Sequence, residues 1–158
     1  MRAKTSSLAD FLPYQLSVTS NAVSGRIAQE YRARFGLSIP EWRVMAVLGD
    51  SGPRTQRELT RMTIMDKVAV NRACKVLEER KLARREPNAQ DGRSHLLELT
   101  EAGRNMHGQI MPLALAMERQ LFAKFTDAEC TQFRDVLARV RAEVDDLTGD
   151  DGTNFGVR

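Results

Sequence analysis

Hydrophobic residues recur at three- and four-residue intervals along the first half of the chain, which is typical of amphipathic helices. The pattern predicts a long helix over residues 14–35 and a second helix that begins at Pro40. A loop rich in glycine is predicted at residues 49–53. Two short helices follow, over residues 55–62 and 66–81, and this closely spaced pair predicts a helix-turn-helix.

The second half of the chain changes from strand-like to helical spacing. Residues 82–86 and 94–99 can each form a short strand, and the polar segment between them predicts a hairpin. A long helix is predicted from Thr100 to about residue 124, and a last helix begins at Thr126. Its apolar residues lie at helical intervals, at Phe133, Val136, Leu137, Val140, Val144 and Leu147. The predicted fold class is therefore mainly α (α+β), a winged helix-turn-helix with a two-stranded wing and long N- and C-terminal dimerisation helices.

These elements define four segments. Residues 12–52 hold the N-terminal dimerisation helix and the second helix, and residues 53–100 form the winged unit. Residues 101–148 hold the C-terminal dimerisation helices, and residues 149–158 are expected to be a disordered tail. The first ten residues are also expected to be frayed. The terminal helices carry larger apolar stripes than the small central unit can cover, which predicts a homodimer.

Charge is concentrated in the middle of the chain. The formal net charge of the 158 residues is only +3, but residues 53–104 contain 12 Lys and Arg against 8 Asp and Glu. The two cysteines, Cys74 and Cys130, form no Cys-x-x-Cys pair and have no histidine at metal-ligand spacing, so neither a metal nor a cofactor is predicted. No signal peptide and no apolar run of membrane-spanning length is recognisable, which favours the cytoplasm.

The fourth predicted helix carries side chains suited to reading DNA. A helix fits the major groove of B-DNA, where Arg72 could pair with guanine and Asn71 with adenine. Lys67 and Lys75 are better suited to phosphates, which add affinity without sequence preference. These four residues lie largely off the apolar stripe of their helix, so they are expected to face the DNA.

A phosphate contact is also expected at the start of the third helix. Thr55 begins a Thr-x-x-Glu capping box that ends at Glu58. The backbone N–H groups of Thr55 and Gln56 could bind a phosphate at this helix N-terminus.

The hairpin is expected to reach a second groove. Asp91 and Gly92 favour a tight turn, because glycine adopts positive φ at little cost. Arg93 at the base of the turn could enter an adjacent narrow minor groove. Asp91 is expected to organise the turn rather than touch DNA, and Arg84 on the flanking strand is a candidate phosphate contact.

At this point the chain resembles the MarR family of bacterial transcription regulators. The matching pieces are Thr55–Thr60, Asp66-Lys67, Asn71-Arg72, Leu77–Leu82, Arg85, Asp91-x-Arg93 and Leu99-Thr100-x-x-Gly103. The resemblance implies a homodimer that binds double-stranded DNA at a near-palindromic operator, usually as a repressor that a small molecule releases. The chain departs from the family at Lys81, where glycine is frequent, and at Ala69 and Asn71, where serine or threonine is frequent.

The resemblance also implies an effector pocket between the dimerisation helices and the winged unit. The candidate ligand-binding residues are Arg26, Tyr31, Trp42, Arg43, Met45, His107 and Met111. Residues 35–43 are similar to members that control aromatic-acid catabolism. An aromatic carboxylate or its coenzyme A thioester is therefore the expected ligand, with Arg26 or Arg43 as its anchor.

Two other functions remain open. A redox-sensing repressor would use Cys74 or Cys130, although the predicted position of Cys74 on a buried stripe disfavours a reactive thiolate. A winged-helix protein-interaction module would bind DNA weakly and without sequence preference. An enzyme is not expected, because no phosphate loop, metal-binding histidine pair or nucleophile elbow is recognisable.

Overall fold

A computed structural model describes residues 7–149 of the chain. A single 3₁₀ turn at Leu8–Asp10 precedes six helices and three strands. These are α1 (Leu12–Phe35), α2 (Ile39–Ser51), β1 (Arg54–Thr55), α3 (Gln56–Thr63), α4 (Lys67–Glu79), β2 (Ala83–Pro87), β3 (His95–Leu99), α5 (Glu101–Leu121) and α6 (Asp127–Gly149). The described part of the chain divides into two compact units, residues 7–115 and 116–149. The mainly helical winged fold that the sequence predicts is confirmed.

The ends of the first two helices follow from local sequence. Pro13 lies in the first turn of α1, where its missing N–H costs no hydrogen bond. Gly36 ends α1 in the left-handed conformation with a φ of 63°. Ser38 and Glu41 then form a capping box at the start of α2, with hydrogen bonds of 3.4 and 3.0 Å.

The loop predicted at residues 49–53 is partly wrong, because α2 continues to Ser51. Gly52, with a φ of 74°, is the residue that ends the helix. Gly49 is helical, and a Cβ atom at this position would overlap the imidazole ring of His107 on α5. This glycine therefore leaves room for the His107 side chain and does not mark a turn.

The wing is part of a three-stranded antiparallel sheet with the order β1-β3-β2. Ala83 pairs with Leu99, and Arg54 pairs with Leu97 on the other edge of β3. The prediction of two strands missed β1. This strand has only two residues, too few to produce a recognisable alternation of polar and apolar side chains.

The core of the first unit lies beneath the helix-turn-helix. On α4 the predicted inward residues are all buried, namely Val70, Ala73, Cys74 and Leu77. They pack with buried side chains of α1, α2, α3 and the sheet, including Tyr31, Val44, Met45, Leu48, Leu59, Leu97 and Leu99. The outward face of α4 is therefore fixed by the burial of its inward face.

A hydrogen-bonded junction joins α4, the sheet and α5. Lys81 adopts a φ of 58° in the turn after α4. The Thr100 hydroxyl donates to the Lys81 carbonyl at 2.7 Å and accepts from the Gly103 N–H at 3.1 Å. Gly103 packs against the Leu82 carbonyl so closely that a Cβ atom would overlap it. This junction holds the wing at the start of α5.

In the second unit, Thr126 and Glu129 form the predicted capping box at the start of α6, with hydrogen bonds of 2.8 and 3.1 Å. The apolar residues of α6 are exposed in the single chain, from Phe133 to Leu147.

The terminal predictions fall partly outside the described residues. The predicted tail began at residue 149, but α6 includes Gly149, and residues 150–158 lie outside the described part. Of the first ten residues, expected to be frayed, residues 1–6 also lie outside it, while Ser7 caps the 3₁₀ turn. Between residues 7 and 149, no helix has the length and apolar composition needed to cross a bilayer.

Candidate nucleic-acid interface

The outer face of α4 presents the four polar side chains that the sequence singled out. Lys67, Asn71, Arg72 and Lys75 are all exposed, on the side opposite the buried stripe. The Asp66 carboxylate caps the helix by accepting from the Ala69 N–H at 2.9 Å. The structure thus brings the predicted base-reading and phosphate-binding side chains onto one free helical surface.

At the start of α3 the predicted phosphate contact by Thr55 needs correction. The Thr55 N–H donates to Glu58 Oε2 at 2.8 Å, and the Glu58 N–H donates to the Thr55 hydroxyl at 3.2 Å. The Thr55 N–H also holds the pKa of the Glu58 carboxyl below its usual value. The amide of Thr55 is therefore occupied, and a carboxylate stands where a phosphate would bind. Gln56 is half-buried beside Cys74 and Arg85.

Arg84, which was predicted to be a phosphate contact, pairs with carboxylates in the single chain. Its guanidinium donates to Glu98 on β3 at 2.6 Å and lies 3.3 Å from Glu86. The neighbouring Arg85 is paired in the same way with Glu78 at 2.6 Å. Both arginines of β2 are held by carboxylates, and the pair between Arg84 and Glu98 forms because adjacent strands place the two opposite charges side by side.

Two cations on α3 were not predicted. Arg57 and Arg61 are exposed and lie four residues apart, so they share one face of this helix. In a helix-turn-helix the first helix crosses the DNA backbone. The four-residue spacing of the two arginines could have identified them from the sequence.

The hairpin turn is held by hydrogen bonds among its own residues. The Asp91 carboxylate accepts from the Arg93 N–H at 3.1 Å, and the Asn88 N–H donates to the Ser94 carbonyl at 3.2 Å. A second Asn88 contact joins its side-chain amide to the Ser94 hydroxyl at 3.0 Å. The Arg93 side chain is exposed, so its guanidinium is available to a ligand while its backbone organises the turn.

The role predicted for Gly92 is wrong in one respect. Among the described glycines, only Gly36 and Gly52 have a positive φ. The space around Gly92 is open, and a Cβ atom at this position would meet no other part of the described chain within 4 Å. The turn is a longer loop closed at Asn88 and Ser94, so it does not require the left-handed conformation at Gly92.

Two of the candidate effector residues belong to the hydrophobic core. Tyr31 and Met45 are each only 1% exposed. The ring of Tyr31 packs edge-on against that of Trp42, with centroids 5.2 Å apart, and burial raises the pKa of its hydroxyl. The expectation that Tyr31 and Met45 line an open pocket is therefore corrected. Trp42 is half-buried, and its indole N–H is buried without an acceptor among the described residues.

The remaining candidate effector residues make contacts with different parts of the chain. Arg43 donates to the Ser24 hydroxyl at 3.3 Å and so joins α2 to α1. Arg26 is exposed and pairs with Glu30 at 3.0 Å on its own helix. His107 packs on Gly49, and Met111 is exposed. Only Trp42 and Arg43 are adjacent in sequence and next to the α1–α2 contact.

A cavity of the second unit has a different lining. It has a volume of about 720 Å³ and is lined by residues that include Phe122, Phe125, Cys130, Phe133 and Leu137. None of the candidate effector residues contributes to it.

The cysteines differ in their surroundings. Cys74 is buried, and burial raises the pKa of its thiol to about 11. A thiol with that pKa is almost entirely protonated at neutral pH and is a poor nucleophile. Cys130 is half-buried. Within residues 7–149, no group of three or more acidic, cysteine or histidine side chains could hold a metal ion.

The chain is similar in sequence and in fold to known proteins. Residues 35–94, which span α2 to the wing, match the model of the MarR family. A crystal structure of a MarR/EmrR family transcriptional regulator from Acinetobacter sp. ADP1 is 27% identical, covers 89% of this chain and 99% of its own, and superposes with a TM-score of 0.82. Residues 35–94 thus resemble the MarR family, and the whole described fold is similar to that of the Acinetobacter regulator.

Two further relatives show the same similarity. The uncharacterized HTH-type transcriptional regulator YwoH of Bacillus subtilis is 29% identical over 77% of this chain and 88% of its own length. A MarR-family regulator from Listeria monocytogenes, crystallised with a 26-mer DNA, has the same fold. It is 22% identical, with a TM-score of 0.79 over 92% of this chain and 97% of its own. The chain is therefore similar to transcriptional regulators and not to enzymes.

Proposed function

We propose that this protein is a homodimeric repressor of the MarR family. Its two winged units bind a near-palindromic operator, and a small aromatic acid, or its coenzyme A thioester, releases it from the DNA. The observation that carries the DNA part is the exposed outer face of α4, where Asn71, Arg72 and Lys75 stand opposite a fully buried stripe. A regulator of this kind acts on the chromosome and therefore in the bacterial cytoplasm.

The side chains divide into groups that read bases and groups that bind phosphate. Arg72 and Asn71 are suited to guanine and adenine, because each can form two hydrogen bonds with one base edge. Lys67, Lys75 and the Arg57–Arg61 pair supply charge for the backbone. Arg93 at the turn is suited to a narrow minor groove.

The exposed apolar stripe of α6 supports the homodimer. Phe133, Val140 and Leu147 are spaced by seven residues, and all are exposed in the single chain. A continuous apolar stripe of this length is unfavourable in water and is usually covered by another subunit. MarR regulators bind DNA as dimers. In such a dimer the two units read half-sites about one helical turn apart.

The effector proposal rests on the contact between α1 and α2. The buried indole N–H of Trp42 lacks an acceptor among the described residues, and buried donors are nearly always paired. Arg43, the next residue, is a half-buried cation that donates to the neutral Ser24 hydroxyl at 3.3 Å. A carboxylate bound at this helix contact could pair with the Arg43 guanidinium, and an acceptor on the same ligand could satisfy the indole N–H. The aromatic ring of such a ligand would suit the half-buried ring of Trp42.

A gel-shift titration tests the repressor proposal. The duplex is the promoter region beside the protein's own gene, at about 0.15 M salt with excess competitor DNA, because non-specific binding depends strongly on salt. A panel of aromatic acids and their coenzyme A thioesters is added to the complex. Release by one panel member, lost in Arg43→Ala and kept in Arg26→Ala, is expected. Release of Arg43→Ala at the wild-type concentration would contradict the proposed anchor.

Two other functions give different results in the same titration. A redox sensor using Cys130 would release DNA after peroxide treatment, whereas Cys74 is too protonated to react readily. A protein-interaction module would show no preference for the promoter over competitor DNA. Specific binding that survives peroxide and depends on Arg72 favours the proposed repressor.

A further inference from the structure

Val68 is an aliphatic side chain on a helical face that is otherwise polar and cationic. It lies in the first turn of α4 and is 60% exposed, on the same side as Asn71, Arg72 and Lys75. A β-branched residue gains nothing at an exposed helical position, since lysine, glutamate or alanine favours helix formation more strongly. The folding of α4 therefore does not explain this valine.

Ile64 is a second exposed aliphatic residue just before α4. It ends α3 with a φ of 51° and a ψ of 41°, and its side chain is 70% exposed. A β-branched residue is unfavourable in the left-handed conformation, where glycine or asparagine is usual. Costly backbone conformations of this kind are concentrated at functional sites. The turn into α4 and the first turn of α4 thus both present aliphatic groups to solvent.

The charged residues near Ile64 and Val68 indicate what kind of surface these two side chains would contact. Lys67 directly precedes Val68, Arg72 follows it one helical turn later, and Arg61 lies near the end of α3. An apolar spot surrounded by cations is complementary to a groove bordered by phosphates. The only apolar group on a base edge in the major groove is the 5-methyl group of thymine.

We propose that Val68, assisted by Ile64, packs on a thymine methyl group, so that the N-terminal turn of α4 selects an A·T pair in each half-site. N-terminal residues of a recognition helix are those that contact base edges. The proposal rests on the DNA-binding function above and adds a specific base and the residue that reads it. Valine forms no hydrogen bond, so the selection depends on burial of the methyl group alone.

The test removes that methyl group and nothing else. The full-length protein first selects its preferred site from random duplexes. Each thymine of the site is then replaced by deoxyuridine, and dissociation constants are measured by fluorescence anisotropy. At one symmetric position the replacement is expected to weaken wild-type binding about four-fold, as expected for one buried methyl group.

Variants assign the effect to a residue. Val68→Ala should bind the thymine site more weakly and lose the deoxyuridine penalty at that position. Val68→Thr keeps one methyl group in the same shape and should retain part of it. Lys75→Ala is the matched control on the same face, and it should weaken binding to every duplex while keeping the full penalty.

Two results would overturn the inference alone: a selected site in which no thymine replacement weakens binding, or an unchanged penalty in both Val68 variants. Failure to select any preferred sequence would instead refute the proposed function, and the inference with it. Because Val68 is exposed, thermal unfolding of its variants should match that of the wild type, which excludes misfolding as the cause.

Discussion

At the level of single residues, helix caps can be recognised in the sequence, but strained backbone conformations cannot. The Thr-x-x-Glu pattern predicted the hydrogen bonds of Thr55 and Thr126 correctly, because both partners of a capping box lie within four residues. The same hydrogen bonds explain why Thr55 is unavailable to phosphate, a consequence that follows only once the geometry is known. The positive φ of Lys81 depends on its junction with Thr100, nineteen residues away.

Replacing Lys81 by glycine should stabilise the protein. With a φ of 58°, Lys81 is in a conformation that costs an L-residue roughly 1 kcal/mol more than glycine. The variant Lys81→Gly is expected to raise the melting temperature by several degrees in calorimetry. Glu79→Gly, in helical conformation two residues earlier, is the matched control and should lower it. A lower melting temperature for both variants would contradict the assigned strain.

Removing the Arg93 side chain should weaken DNA binding without affecting folding. The turn uses only the backbone N–H of Arg93, and the guanidinium is exposed. Arg93→Ala is expected to raise the dissociation constant by about ten-fold or more, as for the loss of a DNA-contacting arginine. Gly92→Ala, which needs no positive φ, should leave both affinity and melting temperature unchanged. An unfolded Arg93→Ala protein would show that the side chain supports the turn.

At the element scale, long helices with periodic stripes were predicted well and irregular packing was not. The boundaries of α1, α3 and α6 agree with the sequence prediction within a few residues, because each has a local start or stop signal and an apolar stripe. The segment around Gly49 was misassigned as a loop, since glycine in a helix is uncommon unless another element approaches closely. β1 escaped detection because its pairing with β3 is a long-range contact.

The contact between Gly49 and His107 can be tested by a double-mutant cycle. A methyl group at residue 49 would overlap the imidazole ring, so Gly49→Ala is expected to push the His107 side chain aside. The variant should therefore gain less stability than the roughly 1 kcal/mol that alanine adds over glycine elsewhere in a helix. Adding His107→Ala should restore the full gain, because it removes the ring that the new methyl group would meet. Gly108→Ala, on α5 with open space around it, is the control and should be neutral or stabilising. Strict additivity in urea denaturation would argue against the contact.

At the scale of the whole molecule, the single chain leaves much of its apolar surface uncovered. The apolar stripe of α6 and several apolar residues of α1 are exposed, and no described part of a single chain covers them. The sequence indicated a dimer for the same reason, since the stripes exceed what the small core can bury. The effector site was less predictable. A buried stripe that contains Tyr31 and Met45 looks the same in the sequence whether it lines a pocket or fills the core.

Disrupting the α6 stripe should separate the dimer. Leu137→Glu places a charge in the proposed subunit interface, where burial of an unpaired charge is strongly unfavourable. Light scattering is expected to give twice the 17.8 kDa chain mass for the wild type and the single mass for the variant. Arg141→Glu, on the same helix but off the stripe, should remain dimeric. A wild-type protein that is monomeric at micromolar concentration would exclude the proposed assembly.

Hydroxyl-radical footprinting on the selected site would show whether two copies of α4 bind the operator together. A dimer that reads DNA with two copies of α4 should protect two stretches on one face of the duplex, centred about 10 base pairs apart. Arg72→Ala should weaken both stretches together. A single protected stretch, or uniform protection that disappears with competitor DNA, would contradict a dimeric, sequence-reading regulator.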